Sequence, residues 1–142
     1  VDVQPARKVR TLSGYDAVVL GAPLYIGRWH KDAHRFLSQH HEALAERPVA
    51  VFSLGPTGGV AGEDEWQGAR AALGQELARY PWLRPVSVEL FGGRYDPAKL
   101  RFPDSLLAVL PASPLHGAPA TDLRDWEAIR AWAESTRPLL VR

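Results

Sequence analysis

Residues 21–36, GAPLYIGRWHKDAHRF, gather the groups in this chain most able to hold a flat aromatic ligand. Tyr25 and Trp29 offer ring faces and edges, and aromatic pairs favour offset stacking. Arg28 lies between them and could meet a phosphate or an acidic substrate. Pro23, Leu24, Ile26 and Gly27 complete this turn. A second stretch, Gly55-Pro56-Thr57-Gly58-Gly59, carries backbone amides that a ligand can approach with few side chains in the way. The plainer alternative is packing, with Trp29 under the following helix beside Ala33 and Phe36, and the glycines as a simple connection.

Other chemistry is weakly represented. His30 and His34 stand at the i,i+4 spacing that suits a metal, but HKDAH lacks the Glu of the zinc hydrolase motif. No convincing third ligand accompanies them, so the plainer reading is a pair of partly exposed helix histidines. Ser53 is outside any Gly-x-Ser-x-Gly elbow. The chain has no Cys, which excludes thiolate nucleophiles, disulfides and cysteine-held clusters. The residues therefore point to a ligand that brings its own chemistry.

Composition narrows the class further. With 142 residues, 46% hydrophobic and 23% charged, the chain has the profile of one globular domain. A net charge of +1 gives no field for nucleic acid or a membrane surface. No run approaches the roughly 20 apolar residues of a membrane span, and no signal-peptide pattern opens the chain. A cytoplasmic location is the default expectation.

The elements that must position these loops follow from periodicity. Residues 17–22 (AVVLGA), 49–54 (VAVFSL) and 86–91 (VSVELF) are continuous apolar runs, predicted as strands buried on both faces. Residues 1–4 alternate like a short strand. Trp29, Ala33, Phe36, Leu37 and Leu44 predict an amphipathic helix that ends near Arg47-Pro48. Trp66, Ala69, Leu73 and Leu77 predict a second, opened by Glu63-Asp64-Glu65 and closed at Tyr80-Pro81. Thr121-Asp122 offers an N-cap for a third, with Trp126, Ile129, Trp132 and Ala133 on its core face. Residues 94–121 read as a Pro-rich loop insertion, with a short helix expected over 105–110. Strands alternating with helices predict an α/β fold, a doubly wound parallel sheet with helices on both faces. Ligands of such sheets bind outside the carboxyl ends of the strands. The turns at 21–29 and 54–62 both lie there, so they should share one rim.

YDAVVLGAPLYIGRWHKDAHRFLSQHHEALAERPVAVFSLGP resembles the middle of the flavodoxin-like family that includes the menaquinone-dependent protoporphyrinogen oxidase. FGGRYDPAKLRF and DLRDWEAIRAWAE look like its closing segments, and the resemblance runs from residue 1 to about 136. It implies a sheet of order 2-1-3-4-5 with FMN at the carboxyl edge. It also implies ring contacts from Pro23, Leu24, Tyr25, Ile26, Gly27, Arg28 and Trp29, and from Gly55, Pro56, Thr57, Gly58 and Gly59. Electron or hydride transfer would then run through the flavin to a quinone, porphyrin or protein partner.

One part of the pattern is missing from the sequence: the first strand and its phosphate loop. Without a central strand its neighbours would stand about 9.6 Å apart, beyond hydrogen bonding. Three expectations follow. The strand and loop precede Val1; residues 1–4 or a partner's segment fill the slot, making a homodimer; or the chain is a rearranged relative. In the last case it would be a binding or structural protein that has lost the flavin.

Overall fold

The computed structural model describes residues 1–56, 62–95 and 121–141. Its parallel strands are β1 (Val18–Tyr25), β3 (Val49–Leu54) and β4 (Ser87–Phe91). A two-residue strand, β2 (Arg28–Trp29), folds back antiparallel on β1. The helices are α1 (Lys31–Gln39), α2 (His41–Ala45), α3 (Glu63–Ala78) and α4 (Trp126–Leu140). A small antiparallel pair, β5 (Arg94–Tyr95) and β6 (Thr121–Asp122), follows β4.

The main sheet has the order β2-β1-β3-β4, with Val18 opposite Val49 and Ala50 opposite Ser87. Consecutive parallel neighbours β1, β3 and β4 are compatible with strands 3, 4 and 5 of the expected order. The difference is β2, which reaches only Leu24 and Tyr25 at the end of β1. Residues 1–4 form no strand, so they do not fill the slot beside β1.

Helices cover both faces. Leu20, Ala22, Val49, Val51 and Leu90 share one core with Ala33, Phe36 and Leu37 of α1, Leu44 of α2 and Leu73 of α3. On the other face α4 presents Trp132, which packs edge-on to Phe52 and Phe91. The Trp132 indole N–H donates to Ser87 Oγ at 2.8 Å, and Thr136 Oγ1 donates to it at 3.2 Å. Only β3 approaches the burial on both faces expected of all three strands. It lies between two neighbours, whereas β1 leaves Val19 49% exposed on the α4 side, because α4 packs over β3 and β4.

Three local expectations change. The helix predicted from Trp29 breaks at His40, whose ring packs on Phe36 and meets the Val9 carbonyl at 3.3 Å. Thr121-Asp122 is a strand, and Asp125 caps α4 by accepting the Ala128 N–H at 3.0 Å. Trp126 is 54% exposed and packs under the Arg124 guanidinium, not in the core. The helix expected over 105–110 and most of the Pro-rich loop lie outside the described residues. No described helix is long and apolar enough to cross a membrane.

Candidate functional site

β1 runs out through Pro23, Leu24 and Tyr25 and reverses at Ile26-Gly27. Both turn residues have positive φ, 50° and 73°. Two such residues between paired antiparallel strands suit the right-handed twist of a tight hairpin. Gly27 takes this conformation freely, but Ile26 is β-branched and strained there. It is also 61% exposed. Tyr25 is partly exposed at the same tip, and Arg28 is exposed beside it.

Of the two roles open to Trp29, the structure shows packing. Its side chain is only 4% exposed, and its indole N–H donates to the fully buried Ser53 Oγ at 2.8 Å. Its backbone N–H donates to Glu76 Oε2 of α3 at 3.2 Å. The ring belongs to the core, and the residue anchors the hairpin to both β3 and α3.

Glu76 is itself buried, with 6% exposure. Its Oε2 lies 2.7 Å from His34 Nε2, and its Oε1 is 3.6 Å from an Arg79 guanidinium nitrogen. His34 Nδ1 meets the Tyr80 hydroxyl at 2.5 Å. Burial pushes the Tyr80 phenol above its ordinary value, with Arg79 opposing and Glu76 adding. The phenol therefore keeps its proton, and its hydroxyl shares a short hydrogen bond with Nδ1. Sequence reasoning missed this cluster, although a signal was present. Positions 66, 69, 73, 76 and 80 continue one helical stripe, so a carboxylate at 76 falls in a core register.

The second loop is firmly tied as it leaves β3. The Gly55 N–H donates to the Phe91 carbonyl at 2.7 Å, and the Gly93 N–H to the Pro56 carbonyl at 2.9 Å. The Gly55 amide, expected to approach a ring, is therefore spent within the sheet. Thr57, Gly58 and Gly59 lie outside the described residues.

The two loops nevertheless converge. Leu24 and Gly27 of the hairpin and Gly55 and Pro56 line one open cleft of about 240 Å³, closed by Glu65, Gly68, Ala69 and Ala72 of α3. Its walls are small or apolar except for Glu65. Pro23, Tyr25, Ile26, Arg28 and Trp29 belong to the same hairpin but are not among the cleft-lining residues. The first turn of α3 bears Glu63, Asp64 and Glu65. Those carboxylates complement the helix dipole but repel a phosphate, so a ring fits here better than an anion does.

A larger groove of about 760 Å³ lies near the other ends of the strands and includes Arg10, Leu12, His40, His41 and Arg47. Its Arg47 guanidinium donates to the Ala43, Leu12 and Tyr15 carbonyls at 2.6, 2.6 and 2.8 Å. That cation ties chain segments together. The smaller cleft has the better claim to a ligand, because it lies at the carboxyl ends of parallel strands.

Comparison with known families matches the flavodoxin domain over residues 1–110. The chain belongs to this family, and its fold is of the flavodoxin-like, flavin-binding and electron-transfer type. Comparisons with curated proteins and with solved structures returned no match.

Proposed function

We propose that this protein binds FMN and acts as an oxidoreductase or electron-transfer protein of the protoporphyrinogen oxidase type. The observation that carries the reading is the meeting of two loops, 24–27 and 55–56, in one cleft at the carboxyl edge of the sheet. The family match over residues 1–110 supports the choice of flavin. FMN, when bound, supplies the hydride or electron transfer, and the protein positions it and sets its surroundings.

The chain's own residues have three tasks in this reading. Leu24, Gly27, Gly55 and Pro56 line the cleft that would take the ring, and Tyr25 and Ile26 stand at the tip of the hairpin beside it. Trp29 holds that tip against Ser53 and Glu76. Thr57, Gly58 and Gly59 remain proposed ring contacts. The exposed apolar tip favours a flat, apolar electron partner, such as a quinone or porphyrin.

Flavin fluorescence and absorption decide the matter. Titrating the purified protein with FMN should quench and shift the flavin bands with saturation. A protein that leaves the FMN spectrum unchanged at high micromolar concentration has no such site, and the non-catalytic reading would replace this one.

A further inference from the structure

The 24–29 hairpin has little of its own to hold it. Its second arm is two residues long, and isolated two-stranded hairpins are marginal in water. Its turn stores strain at Ile26. Yet it must keep its place if it is to form one wall of the cleft. Meanwhile α3 buries a carboxylate that no catalytic step uses, and a buried charge is costly unless it is paired and hydrogen-bonded.

These two facts meet at one atom. Glu76 Oε2 accepts both the Trp29 N–H and His34 Nε2, at 3.2 and 2.7 Å. The short approach to a carboxylate calls for a proton on Nε2, and Nδ1 shares a short hydrogen bond with the Tyr80 hydroxyl. The charged groups facing Glu76 are thus His34 from α1 and Arg79 beyond the end of α3. Tyr80 fixes the ring of His34, and His34 fixes the carboxylate.

We propose that Glu76 is a positioning residue for the ring-binding hairpin, oriented by the Tyr80–His34 pair and acting through the Trp29 amide. Its effect on flavin rests on the FMN reading above, whereas its effect on the hairpin does not.

Two measurements on the same variants separate these effects. Amide hydrogen exchange at Trp29, followed by NMR without added flavin, reads the hairpin; fluorescence titration reads FMN affinity. Leu77→Ala, on the same helix but outside the cluster, is the control for general destabilisation, compared after matching distance from the melting temperature. Glu76→Ala should speed Trp29 exchange by about tenfold over that control and weaken FMN by a similar factor, the loss of one charge-assisted hydrogen bond. Glu76→Gln keeps an acceptor and should restore most of both. Tyr80→Phe should give a smaller change in the same direction, which keeps the test available if Glu76→Ala does not fold. Trp29 exchange in Glu76→Ala and Tyr80→Phe no faster than in the Leu77 control would overturn the proposal. Fast exchange with unaltered FMN affinity would overturn the link to the ligand. A wild-type chain that binds no FMN would instead remove the functional reading and leave the exchange result to decide the role of Glu76.

Discussion

Ile26 shows most directly how a single residue sets stability against binding. A β-branched side chain at φ 50° and 61% exposure gains little from packing to offset its backbone strain. Asn tolerates the left-handed region, so Ile26→Asn should raise stability by about 1 kcal/mol in denaturant unfolding. If the apolar tip borders the flavin, the same change should weaken FMN. An unchanged or lower stability would mean that the isoleucine is not strained where it stands. Asp122 gives a pH-dependent case. The Arg124 side chain and backbone N–H donate to its carboxylate and hold it at about 2 against an ordinary 3.8. The folded value is depressed, so the contribution to stability is present above 3.8 and is lost as pH falls through about 2. Carbon-detected NMR titration should place the Asp122 midpoint near 2 and return it to the ordinary range in Arg124→Gln. For the aromatics of the hairpin the sequence left two roles open, ligand contact and packing, and for Trp29 the structure shows packing. Tyr25 stays partly exposed at the tip and Trp29 is buried, because Ser53 waits beneath the sheet for an indole donor.

At the scale of elements, periodicity was a good guide wherever neighbours on the surface agreed with it. The stripe of Trp66, Ala69, Leu73 and Leu77 became α3 within a residue or two of its expected ends. The run at 17–22 became β1, but extended into the hairpin, since pairing with β2 continues it to Tyr25. The Thr121-Asp122 cap failed because the short pairing with Arg94-Tyr95 claims those residues first. That junction is tight. A Cβ added at Gly92 would lie 2.1 Å from the Leu123 carbonyl oxygen, and backbone cannot move as a flexible side chain can. Gly92→Ala should therefore destabilise the fold by about 1–3 kcal/mol, the range of an overpacked core site. A loss below half of that in equilibrium unfolding would show that β4 and the approach to α4 separate easily.

For the whole molecule, the useful consequence is linkage between ligand and stability. A ligand that binds only the folded state should add about 2.7 kcal/mol at roughly one hundred times its Kd. FMN should therefore raise the melting temperature by several degrees in calorimetry, and a flat response would argue against a folded-state flavin site. The sequence alone determined the α/β class, the strand polarity and the placing of two glycine-containing turns at one rim. Those features follow from local period and chain direction, because a buried parallel strand must be apolar and its connection must return over the sheet. Only the tertiary structure decided which groups at that rim are available. The Gly55 amide is taken by Phe91, and the Trp29 indole and amide by Ser53 and Glu76, partners 24 and 47 residues away in sequence. A polar group must be satisfied once buried, and the segment that satisfies it is settled by packing between distant elements, which no local pattern encodes.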